Sequence, residues 1–234
     1  MLEFLNLNLN RKKKKREPTA YEQLRGSILA NEDLSIVGTG VAASDYESPP
    51  WSHFAEANRL ASRGAAPAIV QLRKILALPR LESRIYLQTW HCLRALGVVP
   101  PEAVRTEVVG VVVEMGLKTG LDAVVAYADC TARYFNHSGA AVIWDTQTTE
   151  MNASIDPLLH AAETIGESTA PVEEPHPPPP RRGSLLINIL TPGGIHIGMG
   201  KTKAMQSDPM GAAVTQAALA LMQKLMKVGA AEAR

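Results

Sequence analysis

"LLINILTPGGIHIGMGKTKAM", Leu185 to Met205, admits two readings, and the choice between them decides how the second half of the chain folds. Gly200, Lys201 and Thr202 match the tail of a phosphate-binding loop. That loop needs the spacing GxxxxGK[ST], because backbone amides must wrap the phosphates before the lysine reaches them from a helix start. The first glycine would stand at position 195, where the chain has Ile195, and Gly194 is one position early. After the lysine, "KAMQSDPM" breaks where a long buried helix should begin. The alternative is a hairpin: "SLLINIL" and "IHIGMG" are strands, and "TPGG" is a turn in which Pro192 presets φ and the glycines accept positive φ. The hairpin is adopted. Gly200-Lys201-Thr202 remains a near-miss phosphate loop, nucleotide binding through Lys201 a minor alternative, and no cofactor is implied.

A two-stranded hairpin is rarely stable alone, so these strands need a larger sheet. Upstream, "EVVGVVVEM" (107–115) is dominated by β-branched valines and reads as a strand buried on both faces, with a helix as the alternative. "LDAVVAYAD", "ARYFNHSG" and "AAVIWD" follow as strand-like runs separated by short turn signals at Asp129-Cys130 and Ser138-Gly139, an antiparallel meander. The expected class is α+β: a helical N-terminal section, then an antiparallel sheet of about six strands, a four-stranded meander plus the hairpin, covered by helices.

The covering helices are marked by their caps. Asp156 with Pro157 at the first helical position opens "DPLLHAAETIGES", and Asp208 with Pro209 opens a helix in which Val214, Ala218, Leu221, Leu225 and Val228 share one face. Between the two, "TAPVEEPHPPPPRRG" reads as an extended spacer, 168–183, whose Pro177, Pro180 and Arg182 also give the PxxPxR spacing of a polyproline ligand.

Toward the N-terminus, residues 51–100 carry three helical patterns. They are "HFAEANRLASR" capped by Ser52, "PAIVQLRKILAL" opened by Pro67, and Leu81 to Leu96, whose Ile85, Thr89 and Cys92 oppose a polar side of Arg84, Gln88 and His91. Residues 1–50 are read as a largely flexible basic tail and loop with a short helix near "YEQLRGSILAN". The expected divisions are therefore 1–50, 51–100, 101–167, 168–183 and 184–234, the last completing the sheet begun by the third.

Composition narrows the function classes. The 234 residues are 46% hydrophobic, enough for a globular core. Of 24 basic residues, six form the run Arg11, Lys12, Lys13, Lys14, Lys15, Arg16; setting these aside leaves 18 against 23 acidic, a mildly acidic body that does not imply a broad nucleic-acid-binding face. The run itself suits weak contact with an anionic surface, or is a solvated tail. No apolar run reaches the ~20 residues of a membrane helix, and the charges follow the N-terminal apolar stretch, the reverse of a secretory signal. Two cysteines without a CxxC motif point to a reducing, cytoplasmic compartment.

The six histidines form no metal-ligand spacing such as HxxxH or HExxH, so no metal site is expected. His137 and His196, on predicted strands, are the catalytic candidates. Cys130 in its turn, beside Asp129, is disfavoured as a thiolate. With no complete catalytic constellation, the reading adopted is a non-catalytic intracellular interaction or regulatory protein, leaning away from an enzyme. Its partner contacts would be the basic run and the Pro-Arg segment, with oligomeric state open. The alternative is a small-molecule enzyme with a sheet-borne site using His137 or His196.

Overall fold

The computed structural model describes residues 19–39, 42–146, 149–172 and 176–232. The basic run, Arg11 to Arg16, lies outside these residues. In chain order the elements are α1 (Ala20–Ile28), α2 (Ala43–Tyr46), α3 (Trp51–Ala61), α4 (Ala65–Leu76), α5 (Ser83–Ala95), α6 (Glu102–Arg105), β1 (Gly110–Gly116), β2 (Leu121–Tyr127), β3 (Ala132–Phe135), β4 (Ala141–Trp144), α7 (Thr149–Ser168), β5 (Ser184–Thr191), β6 (Gly194–Lys201), α8 (Thr202–Ser207) and α9 (Pro209–Glu232). This is an α+β protein, and 107–115 contributes a strand.

All pairings are antiparallel, in the order β4-β3-β2-β1-β5-β6. The meander forms as read, and the hairpin joins it at β1, the first strand of the meander, with Val112 opposite Asn188 and Val113 opposite Ile187. A central β1 explains its near-continuous burial: it is flanked on both edges and covered on both faces. In the β5–β6 turn Gly193 approaches α6 so closely that its amide donates to the Arg105 carbonyl (2.8 Å), which a side chain at 193 would strike.

Three apolar clusters hold the layers. On one face, Val111, Val113, Val124, Ile187 and Ile189 meet Met151, Ile155, Leu158 and Ile165 of α7 and Val214, Ala218, Leu221 and Leu225 of α9. On the other, Val112, Val125, Tyr127 and Phe135 meet Tyr21 and Ile28 from α1, Leu29 at its C-terminal cap and Leu87 from α5. The third cluster joins α3, α4 and α5 through Phe54, Leu72, Ile75, Trp90 and Leu93.

Several local expectations are corrected. Residues 19–39 are an integral part of the fold: Thr19 and Glu22 form a reciprocal capping box on α1, and Tyr21, Ile28 and Leu29 are each about 1% exposed. Pro157 lies inside α7 because the apolar row starts upstream of it; burial of Met151 and Ile155 against the sheet offsets the backbone hydrogen bond that proline removes. Ser52 does not cap, since α3 begins at Trp51. Gln88 is buried, its amide exchanging hydrogen bonds with the backbone of Glu32, because α5 is sandwiched between the sheet and the neighbouring helices.

The proline segment does not stand away from the body. It leaves α7, pairs with the outer edge of β6 through the Val172 amide and the Ile195 carbonyl (2.8 Å), and reaches the end of β1, where the Gly183 amide donates to the Gly116 carbonyl (2.7 Å). At Gly116 the backbones of Pro180 and Arg181 pass where a Cβ would sit, so only glycine admits this strap.

Candidate functional site

Two polar residues interrupt otherwise apolar central strands: Glu114 in "GVVVEMG" of β1 and Asn188 in "SLLINILT" of β5. Both are 0% exposed. A buried carboxylate needs donors on both oxygens. Glu114 Oε1 accepts from Tyr21 Oη (2.9 Å) and Arg25 Nε (2.7 Å), and Oε2 accepts from Arg25 Nη2 (2.9 Å) and Asn188 Nδ2 (3.2 Å). With its amide donating, Asn188 leaves Oδ1 as acceptor, and His176 Nε2 of the strap lies 3.0 Å from it. One network thus clamps α1, β1, β5 and the strap. Burial pushes the Tyr21 hydroxyl well up, Glu114 adding to the effect, so it stays a donor. Burial alone would lower Arg25, but its bonds to Glu114 raise it overall.

Beside this network, a recess of about 260 Å³ lies between α5, the strap and the β5–β6 turn, lined by His91, Arg94, His176 and Ile195 among others. Arg94 spans it to donate to the Pro192 carbonyl. His91, read from its helical face as solvent-directed, is half-buried here.

His137 follows β3 and faces Asp122 of β2. The carboxylate accepts from Tyr134 Oη (2.7 Å) and from the His137 amide (2.7 Å), and His137 Nδ1 is 3.1 Å from it. Burial, then Asp122, raises the Tyr134 hydroxyl, which therefore remains the proton donor of this pair. The side chain of His137 is 42% exposed, and an Nδ1–H held by Asp122 leaves Nε2 as the accessible acceptor.

His196 has a different setting. It stands opposite Ile189 on β6 and is 1% exposed, with Nδ1 3.0 Å from Thr169 Oγ1, whose own hydroxyl donates to the Ile165 carbonyl. Its Nε2 is buried without a described partner, and burial lowers its pKa and holds it neutral. The sheet therefore does not bring His137 and His196 together: one follows β3 and the other is on β6, with three strands between.

Gly200 and Lys201 are ladder residues of β6, opposite Leu185 and Ser184, and the Thr202 amide donates to the Gly183 carbonyl (3.1 Å). Of the amides that a phosphate loop would present to a ligand, that of Gly200 faces β5 in the ladder and that of Thr202 is taken up by the turn carbonyl of Gly183. Lys201 is exposed, and with Met199, Gly200, Ser184, Arg181 and Pro177 to Pro180 it lines a trough of about 410 Å³ between the strap and β6. Pro177 and Pro180 are half-buried in its wall and Arg182 is exposed.

Neither cysteine is activated. Burial pushes the Cys92 thiol up to about 11, and burial followed by Asp156 and Asp129 raises Cys130, which sits in the β2–β3 loop at φ +67°. Among the described residues no group of three or more His, Cys, Asp or Glu is placed to hold a metal ion, and no helix is long and apolar enough to cross a membrane.

The residues that organise these sites went unmarked in the reading of motifs. Glu114 and Asn188 carry a usable signal, a lone polar residue amid strand-forming apolar ones. Asp122 could be noticed the same way in "LDAVVAY". His176 and Thr169 carry none, since their partners are far along the chain or across the sheet. No family model, curated protein or solved structure matches the chain.

Proposed function

We propose that this is a non-catalytic intracellular interaction or regulatory protein that meets its partners through the edges of its sheet. The observation that carries the reading is the contrast between covered faces and open edges. Helices α7 and α9 cover one face, and α1, α5 and the strap cover the other. The outer strand β4 has no described strand on its far side, and the covering helices stop short of it on the α1 face, where the side chain of Ile143 is 56% exposed. Open edges are templates for pairing with another chain. Two free cysteines, one of them deep in the helical cluster, support a reducing compartment.

The test is a photo-crosslinking amino acid placed at Ile143 on β4, at Met199 on β6 and at exposed Val70 on α4, followed by crosslinking in an extract of the source cells. Discrete adducts at an edge position, absent at Val70 and lost when Ile143→Pro blocks β4 pairing or when β6 is altered, are expected. Equal labelling at all three sites overturns the reading.

One observation favours a second reading as an enzyme: the carboxylate-backed imidazole of His137, an arrangement that suits a general base. A hydrolase substrate panel in which turnover disappears with His137→Ala and survives His196→Ala supports it. Turnover insensitive to both substitutions removes both histidines from consideration.

A further inference from the structure

We propose that the trough between the strap and β6 binds an extended peptide segment bearing an apolar residue and, two positions away, an aspartate or glutamate, and that this segment adds to the sheet as a strand beside β6. The proposal rests on the interaction reading above and specifies one edge and one chemistry. Three observations carry it.

The first is the backbone. The Ile195 carbonyl faces outward, since it accepts from Val172 of the strap. Outward groups recur at every second residue of a strand, so the amides and carbonyls of Met199 and Lys201 face outward too. Among the described residues neither has a backbone partner on that side, because Val172 covers only the far end of the edge.

The second is the wall and floor. Met199 is 62% exposed although its neighbours on the same face of β5 and β6, Leu186 and Ile195, are buried. It faces the rings of Pro177 to Pro180, an apolar wall fixed in place by the close approach at Gly116 and the bond from Gly183. A wall already ordered spares a ligand much of the cost of shaping its own site.

The third is charge. Arg181 and Lys201 line the trough, Arg182 and Lys203 flank these in the chain, and all four are exposed. No acidic side chain among the described residues lines it, and none of the four enters a described ion pair. The body of the protein is otherwise mildly acidic, so this edge is a local cationic exception. Met199 and Lys201 project on one face two residues apart, and a strand paired beside them places its own residues i and i+2 on that face. The complementary pattern is therefore apolar opposite Met199 and acidic opposite Lys201. A narrow trough with a strand register favours a peptide over a lipid surface, which would ask for a broad convex cationic face.

The probe is a set of nine-residue fluorescent peptides with alternating apolar and polar residues, carrying glutamate two positions from leucine or valine, titrated against the full chain by anisotropy. Saturable binding is expected, weakened at least ~10-fold by Arg181→Glu combined with Lys201→Glu. The same double variant is expected to bind peptides in which lysine replaces glutamate. Alternate N-methylation of the peptide, which removes its strand donors without touching the protein, should abolish binding. Both protein substitutions are at exposed positions, and an unchanged thermal melt confirms the fold. No binding by any peptide at ~1 mM, or binding indifferent to charge reversal or to N-methylation, overturns the proposal. So does sedimentation with anionic phosphatidylserine vesicles that the peptides do not compete away. If no peptide binds while edge-specific crosslinks at Ile143 on the opposite edge are still obtained, the trough falls and the interaction reading stands.

Discussion

Across the sheet, the face under α7 and α9 is closed mainly by apolar side chains from two long helices, whereas the face under α1, α5 and the strap is closed by apolar side chains arranged around a buried charged clamp. The first face joins elements through area, which is tolerant of exact position. The second fixes position: Glu114 is satisfied only when Tyr21, Arg25 and Asn188 are all present at hydrogen-bond distance. The difference teaches why α1, short and only nine residues long, holds a definite place on the sheet. A helix of that length is marginal in water by itself. The clamp and the row Tyr21, Ile28 and Leu29 together hold it, whereas α9 relies on the apolar row Val214, Ala218, Leu221 and Leu225 along one face.

The sharpest way to break this comparison is Glu114→Ala, which strands Arg25 in a mostly buried position. A loss of about 3–5 kcal/mol in urea unfolding is expected, and replacing Glu114 and Arg25 together by Met should recover much of it. If the paired replacement is no better than the single one, the clamp is not what the charges cost. On the opposite face Leu158→Ala, a fully buried position between α7 and the sheet, should cost about 2–4 kcal/mol and leave protection of α1 amides from hydrogen exchange intact. Loosening of α1 in that variant would show that the two faces are not independent. Tyr21→Phe removes one donor to a carboxylate while keeping the ring against Phe135, 5.5 Å between centroids, and should cost about 1–2 kcal/mol.

The smallest effect concerns pH. His196 is held neutral by burial, so its folded pKa lies below the unfolded value of about 6.5. Its contribution is fully present above that value and is lost as pH falls from there toward the lowered folded pKa, because the unfolded chain binds the proton more readily. The urea midpoint of the wild type should therefore drop between pH 7.5 and 5 more than that of His196→Leu. Equal drops in the two proteins would show that His196 titrates as an exposed imidazole.

Much of the fold was legible because it depends on local chemistry. Pro192 and Gly194 mark the hairpin turn, the period of two marks its strands, and Asp208 caps α9 by accepting from the Gly211 amide at 2.6 Å. The site was legible only at single residues. A glutamate among valines signals that a donor must come from somewhere, but nothing near Glu114 in the chain names Arg25, 89 positions away, or Tyr21, 93 positions away. Pro157 misled for the same reason in reverse: proline is a sound signal of a helix start, and an apolar face seeking the sheet overrode it.

By itself, then, the sequence determined the class of fold, the meander downstream of 107–115, the longer helices in outline and the replacement of a phosphate loop by a hairpin, since turn chemistry and hydrophobic periodicity act over a few residues. It left 107–115 between strand and helix and did not mark the short helices α2, α6 and α8. Tertiary structure alone decided which strand the hairpin joined, that a proline segment becomes a fixed strap over the sheet, and which cations gather beside the β6 edge. Those outcomes depend on long-range pairings such as Val112 with Asn188 and on the close passage of Arg181 over Gly116, and no local propensity encodes a contact between segments that meet only after the chain has folded.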